Sequence, residues 1–170
     1  LTLMQTGASA AQAIEVLQCS SAYIEYRQVL AVDSCGQTAI HSGPNTLGTW
    51  AEAKAINVAS GGNLLSCSHV PQAIVDGFLG ATGHIGDRLI AAMRAGLAEG
   101  GEEGPVHSAG MMIVDKVSWP VAELRCDWSE DCPIENIATA WQIYKPQLDA
   151  YLQRAIDPRE APSYGVPGDE

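Results

Sequence analysis

The chain is poor in basic residues and has no long apolar run. Its 170 residues include nine Lys and Arg against 20 Asp and Glu, which gives a formal net charge of −11 at pH 7. Because this charge repels polyphosphate, nucleic-acid binding is not expected. No run of about 18 apolar residues occurs, so no membrane span is predicted. The length and the 46% of hydrophobic residues indicate one ordinary globular domain.

Cysteine is scarce and irregularly spaced. The five cysteines are an odd number and do not form the dense framework of a secreted disulfide protein. We therefore expect reduced thiols and a location in a bacterial-type cytoplasm. Cys67 and His69 with Cys126 and Cys132 match no common zinc spacing, so no metal site is predicted. No cofactor is expected, since phosphate-loop and dinucleotide fingerprints are absent.

Apolar periodicity predicts an α+β chain in which helices separate pairs of antiparallel strands. Ser9 is expected to cap a helix, and Pro146 is expected to kink or restart a long helix. Further helices are predicted over residues 71–79, 85–97 and 133–155. Strands are predicted over residues 27–33, paired with 37–41 and covered on both faces, over 54–59, and over 111–115, paired with 121–127.

The first candidate site is the segment 59–65, which is predicted to leave a strand and enter a loop. Gly61 and Gly62 permit positive φ and let a ligand approach the backbone. Their N–H groups and the Asn63 amide are suited to binding a carbonyl oxygen or a carboxylate. The alternative is a bulged loop in which Asn63 satisfies its own turn.

The second candidate site is the acidic loop over residues 101–109. Glu103, His107 and Ser108 bring a carboxylate, an imidazole and a hydroxyl to a junction between loop and strand. Glu103 and His107 are predicted as acid, base or orienting groups, and Ser108 as a substrate contact. The alternative is a solvated turn with His107 at a sheet edge.

Arg125 and Asp127 form the third candidate site. Period-two spacing puts both side chains on one face of a predicted strand. They are suited to gripping a polar ligand or to pairing with each other. An ordinary surface ion pair is the preferred interpretation.

Several motifs together resemble the domain-of-unknown-function 1028 family over essentially the whole chain. They are EYRQVLAVD at residues 25–33, GNLL at 62–65, GPVHSAG at 104–110, YKPQ at 144–147 and APSYGVPGD at 161–169. The resemblance implies an N-terminal-nucleophile (Ntn) hydrolase-like fold, a four-layer αββα sandwich of antiparallel sheets. It also implies hydrolysis of an amide, cyclic amide or ureido C–N bond of a small molecule.

In Ntn hydrolases the attacking group is an amino-terminal Thr, Ser or Cys. Leu1 cannot fill that role and Thr2 is not terminal, so neither is assigned. The resemblance thus implies that an upstream or second polypeptide supplies the nucleophile and completes the sheets, in a homo- or hetero-oligomer. Residues 1–156 would be the larger part of the domain. Residues 157–170 are expected to form an extended tail that Pro162 and Tyr164 anchor to a surface, either of this chain or of a neighbouring one.

The missing nucleophile leaves a second class of function open. In that alternative the chain is a non-catalytic subunit that keeps the fold and binds a small molecule or serves assembly.

Overall fold

A computed structural model describes residues 1–166 and 168, which form two compact units, residues 1–106 and 107–170. The helices are α1 (Thr2–Gln5), α2 (Ala10–Ser20), α3 (Val70–Gly80), α4 (Ile85–Ala98), α5 (Pro133–Tyr144) and α6 (Leu148–Ile156). The strands are β1 (Gln28–Val32), β2 (Thr38–Ser42), β3 (Ala51–Ala55), β4 (Val58–Gly62), β5 (Ala109–Ile113) and β6 (Ala122–Cys126). Short 3-10 turns cover Ile24–Tyr26, Lys145–Gln147 and Pro158–Glu160.

Helix α2 begins where the sequence predicts, because Ser9 caps it. The Ser9 hydroxyl accepts a hydrogen bond from the Gln12 N–H at 3.3 Å, and the Gln12 side chain accepts one from the Ser9 N–H at 2.9 Å. This reciprocal capping box satisfies two N–H groups that a helix start leaves unpaired. Ala10 and Ile14 are buried against Ala39 of the first hairpin.

Strands β1 and β2 pair in antiparallel register, with Leu30 opposite Ile40. Alternate side chains of β1 face opposite directions. Val29 packs toward the α2 cluster, whereas Leu30 and Val32 are 39% and 42% exposed. The hairpin is confirmed, and the prediction that β1 is covered on both faces is wrong, since its second face is solvated in this unit.

Strands β3 and β4 form a second antiparallel hairpin, with Ala55 opposite Val58. The prediction of a single strand over residues 54–59 is wrong, because the chain reverses at Ile56 and Asn57. Asn57 has a φ of +67°, a left-handed conformation that Asn tolerates better than most residues. The reversal also places Gly61 and Gly62 inside β4.

Contacts in the first unit follow a simple order. Helix α2 contacts β1 and β2, the two hairpins contact each other, and α3 contacts β3 and β4 while packing closely on α4. Ala53 and Val58 share a core cluster with Val75, Phe78 and Ala92 of the two helices. The start of β1 and the end of β4 meet in this arrangement, and the candidate groove lies there.

The second unit contains the β5–β6 hairpin, α5 and α6. Trp141 on α5 is completely buried, and the Tyr144 hydroxyl donates to the Val121 carbonyl at 2.8 Å. Pro146 lies in the 3-10 turn between α5 and α6, which confirms that the predicted long helix restarts there. The cause is local, since proline cannot donate the helical hydrogen bond.

The tail folds back on α6. The Arg154 guanidinium lies 4.6 Å from the centre of the Tyr164 ring and donates to the Pro162 carbonyl. The predicted anchoring through Pro162 and Tyr164 is confirmed, on the chain's own helix. Residues 167, 169 and 170 of the predicted tail lie outside the described residues.

The architecture is mixed α+β with small antiparallel sheets; three two-stranded sheets occur over residues 1–166 and 168. Within this described part, no helix has the length and apolar character that crossing a bilayer requires. The division into a domain over residues 1–156 and a tail stays a prediction, as does the cytoplasmic location.

Candidate functional site

An open groove of about 560 Å³ lies in the first unit. Its size is in the range that binds small molecules, about 300–1,000 Å³. The lining comes from the start of β1, the loop after β2 and the end of β4. The lining residues are Tyr26, Arg27, Gln28, Leu30, Asn45, Thr46, Leu47, Gly61, Gly62 and Asn63. Three of the sequence-predicted site residues, Gly61, Gly62 and Asn63, therefore lie in one concave surface.

The backbone crossing beside the groove is tight. The Gly43 N–H donates to the Arg27 carbonyl at 2.8 Å, and the Asn45 N–H donates to the Glu25 carbonyl at 2.9 Å. A Cβ on Gly43 would lie 2.2 Å from the Glu25 carbonyl oxygen, closer than real contacts allow. Glycine at this position thus lets the loop after β2 approach the start of β1 and carry Asn45 to the groove.

Gly61 and Gly62 contribute space rather than left-handed backbone. Neither residue has a positive φ. The nearby residues that do have one are Leu64, at +53°, and Gly48, at +67°. The prediction that Gly61 and Gly62 lie in a loop is therefore wrong, and neither residue uses the positive φ that glycine permits. A Cβ on Gly61 would lie 3.0 Å from the Gln28 side chain, so the bare strand leaves room for that amide.

Asn63 follows β4, and its side chain is exposed. The amide nitrogen donates to the Leu47 carbonyl at 3.4 Å, a long and weak hydrogen bond. This bond reaches another segment of the chain rather than the turn of Asn63 itself. A ligand oxygen can compete for the amide at low cost.

Arg27 is the groove residue that the candidate sites did not include. It is exposed, and over residues 1–166 and 168 no acidic side chain forms an ion pair with its guanidinium. Its signal in the sequence was indirect: Arg27 lies within the motif at residues 25–33 that carries the family resemblance. The amide nitrogen of the neighbouring Gln28 is already engaged, donating to the Ser42 hydroxyl at 2.9 Å and to the Ala51 carbonyl at 3.0 Å.

Glu103 belongs to the first unit but does not line the groove. Its backbone N–H donates to the Leu64 carbonyl at 2.8 Å, which ties its loop to the residue after Asn63. The Glu103 side chain is exposed.

His107 belongs to the second unit. Its Nδ1 lies 2.9 Å from the Ser129 carbonyl oxygen, and its ring stacks on Trp128 with centroids 4.1 Å apart. Because a carbonyl only accepts, Nδ1 carries the proton and Nε2 keeps its lone pair in the neutral ring. Ser108 beside it is exposed.

Arg125 and Asp127 form a surface ion pair, with 2.7 Å between guanidinium nitrogen and carboxylate oxygen. Their side chains are 66% and 78% exposed. The hydrogen bond that Arg125 donates to the Asp127 carboxylate, together with the negative charge of that carboxylate, raises the pKa of Arg125. Each side chain is therefore the ion-pair partner of the other, in agreement with the preferred interpretation of an ordinary surface ion pair.

The four-residue zinc set is divided between the units: Cys67 and His69 lie in the first, Cys126 and Cys132 in the second. In the first unit a different third group, Glu99, approaches Cys67 and His69.

Comparison with known proteins identifies the family. The sequence profile of a family of unknown function (DUF1028) matches residues 1–137. A crystal structure of a DUF1028 protein from Silicibacter pomeroyi is similar in fold, with a TM-score of 0.73 and 24% sequence identity. The match covers 82% of this chain and 62% of that one, so this chain spans less than two thirds of that relative's length.

Curated protein sequences gave no match. The profile match confirms the family resemblance for the motifs within residues 1–137, whereas those at 144–147 and 161–169 lie outside the matched range; the chain belongs to the DUF1028 family.

Proposed function

We propose that the groove binds a small molecule with a carboxylate near an amide, cyclic amide or ureido C–N bond. The observation that carries this proposal is the position of Arg27 beside Gly61, Gly62 and Asn63. A guanidinium grips a carboxylate through two parallel hydrogen bonds. Gly61 and Gly62 contribute backbone to the lining, since the Gln28 and Leu65 side chains already take the space beside them. In a chain of net charge −11, an exposed guanidinium that has no acidic partner among the described residues is a local attractor for an anion.

The activity proposed is Ntn-type amide hydrolysis. A nucleophile attacks the carbonyl carbon, the C–N bond breaks with proton transfer to the leaving nitrogen, and water releases the acyl group. The Asn63 amide is suited to hydrogen-bond the carbonyl oxygen as it becomes negative. An upstream or second polypeptide would supply the nucleophile and complete a four-layer αββα sandwich.

The roles proposed for the second candidate site are proton transfer and orientation. The tautomer fixed by Ser129 leaves Nε2 of His107 as the proton acceptor. Glu103 and Ser108 are proposed to orient the substrate or relay protons. Arg125 and Asp127 are weaker candidates for binding substrate, because their charges already neutralise each other in an ion pair.

One observation favours the non-catalytic alternative. Thr46 brings an aliphatic hydroxyl to the groove lining, and that hydroxyl donates to the Gly43 carbonyl at 2.8 Å. Because the Thr46 hydroxyl donates its proton to a carbonyl and not to a general base, this hydroxyl is suited to accepting a hydrogen bond from a ligand and is not activated as a nucleophile. Both functions share the same ligand chemistry and differ only in turnover.

The test is turnover by the native protein, together with any polypeptide that copurifies with it. N-acyl amino acids, cyclic ureides and ureido acids are assayed for release of amine or ammonia. Asn63→Ala should lower kcat about 100-fold, the typical effect of removing one oxyanion donor. His107→Ala should lower kcat by about 100-fold or more, and the exposed Gln142→Ala on α5 is the control.

Unchanged turnover in Asn63→Ala would remove the groove from the mechanism, and unchanged turnover in His107→Ala would remove His107 from it. Saturable binding of these compounds without turnover of any of them would support the alternative, in which the chain is a non-catalytic binding subunit.

A further inference from the structure

A thiol, an imidazole and a carboxylate converge in the first unit, away from the groove lining. One ligand atom each from Cys67, His69 and Glu99 lies within 4.8 Å of the other two. Cys67 is half-buried, and the other two are exposed. We propose that these three residues bind a Zn²⁺ ion. The proposal stands independently of the function proposed for the groove.

Backbone hydrogen bonds hold the two ligand-bearing segments together. The Ser66 N–H donates to the Gly101 carbonyl at 3.1 Å, and the Glu103 N–H donates to the Leu64 carbonyl at 2.8 Å. Cys67 Sγ lies 3.7 Å from the Glu99 carbonyl oxygen. The segment after β4 is thereby fixed against the end of α4, and the ligands are brought together before a metal arrives.

Helix ends position the other two ligands. His69 is the residue that precedes α3 and Glu99 the residue that follows α4. Gly100 has a φ of +130°, and a Cβ there would lie 2.3 Å from the Ser66 hydroxyl oxygen. The residue after Glu99 is therefore suited only to glycine, which permits the close approach on which the cluster depends.

The donor set suits zinc better than a hard cation. Zinc takes thiolate, imidazole and carboxylate ligands, whereas Mg²⁺ and Ca²⁺ prefer oxygen alone. One thiolate and one carboxylate neutralise the two positive charges. The partial negative charge at the C-terminal end of α4, beside Glu99, offsets the partial positive charge at the start of α3, beside His69.

The distances are compatible with binding after small side-chain rotations. Zinc bonds of about 2.0–2.3 Å in a tetrahedron place ligand atoms roughly 3.3–3.8 Å apart. The exposed side chains of His69 and Glu99 supply the contraction of about 1 Å that this needs. Three protein ligands leave the fourth position to water, as in an open zinc site.

The proposal is tested by titrating the metal-free full chain with Zn²⁺ in a calorimeter. We expect one ion per chain with a Kd below about 10 μM. Loss of an outer-sphere partner weakens binding about 10- to 100-fold, so loss of a ligand should cost at least about 100-fold. The ligand variants are Cys67→Ser, His69→Ala and Glu99→Gln; Cys19→Ser and Glu102→Gln are matched controls that should bind like the native chain.

Co²⁺ provides a second, spectroscopic readout. In the native chain, cobalt bound through Cys67 should give a thiolate-to-metal charge-transfer band that Cys67→Ser lacks. Zn²⁺ should also slow alkylation of Cys67 without slowing that of the exposed Cys19 and Cys35. Affinity weaker than about 10 μM, binding unchanged in the ligand variants, or no charge-transfer band would overturn the proposal.

Discussion

The Asp33 carboxylate accepts a hydrogen bond from the backbone N–H of Ala10, the first residue of α2, at 3.0 Å. Its other oxygen accepts from the Cys35 N–H at 2.9 Å and the Gln37 N–H at 3.0 Å. One side chain thus joins the start of α2 to the turn between β1 and β2. Strand β1, which leads into this turn, contributes Gln28 and Leu30 to the groove lining.

The first prediction concerns the pH dependence of that junction. The hydrogen bond from Ala10, with those from Gln37 and Cys35, lowers the pKa of Asp33 below its ordinary 3.8. A carboxylate with a lowered folded-state pKa stabilises the fold above the unfolded pKa, about 4, and loses that effect as pH falls through the folded value. Asp33→Asn should therefore lower the free energy of unfolding at pH 7 and reduce the loss of stability below about pH 4.

Urea unfolding at pH 7 and pH 3 measures this effect, with the exposed Asp115→Asn as control. If Asp33→Asn and the native chain lose stability in parallel on acidification, the Asp33 carboxylate does not hold the junction.

The second prediction concerns the backbone crossing at Gly43. Gly43→Ala puts a methyl group 2.2 Å from the Glu25 carbonyl oxygen, a backbone atom that cannot rotate away. Overpacking of this kind costs about 1–3 kcal/mol or more, and it should displace Asn45 from the groove. Gly104→Ala is the matched control, because nothing lies within 4 Å of its added Cβ. Equal unfolding midpoints for the two variants would contradict the close approach of Gly43 to the Glu25 carbonyl.

The third prediction concerns the tail. Tyr164 packs against Arg154 at 4.6 Å and against Tyr151, with ring centres 6.2 Å apart. Tyr164→Ala should remove both contacts and speed tryptic cleavage after Arg159, while leaving the thermal midpoint nearly unchanged. Ile143→Ala, an exposed position on α5, is the control. An unchanged cleavage rate would show that the tail is held by other contacts.

Much of the fold could be predicted because its signals are local. Ser9 caps α2 through a residue three positions away, and Pro146 interrupts its helix by its own chemistry. The turn at Ile56 and Asn57 was missed because it lacks the Asn-Gly pair that marks a tight hairpin. Because that turn was missed, Gly61 and Gly62 were predicted to lie in a loop, whereas they lie in β4.

The candidate sites were harder to predict because they depend on tertiary contacts. Arg27 and Asn63 are 36 positions apart and share a groove only once the hairpins pack. Cys67 and His69 were visible as a pair, but Glu99 joins them through hydrogen bonds between loops. Spacing along the chain carries no sign of such contacts.

The central claim is that Arg27 makes the groove a binding site for a carboxylate. The most direct measurement is calorimetric titration of the full chain with N-acetyl amino acids and their methyl esters. A charged hydrogen bond contributes about 1.5–3 kcal/mol, so the free acids should bind roughly 10- to 100-fold more tightly than the esters. Arg27→Ala should abolish that difference, and Arg159→Ala should preserve it. Equal affinity for acid and ester, or an unchanged preference in Arg27→Ala, would contradict the account.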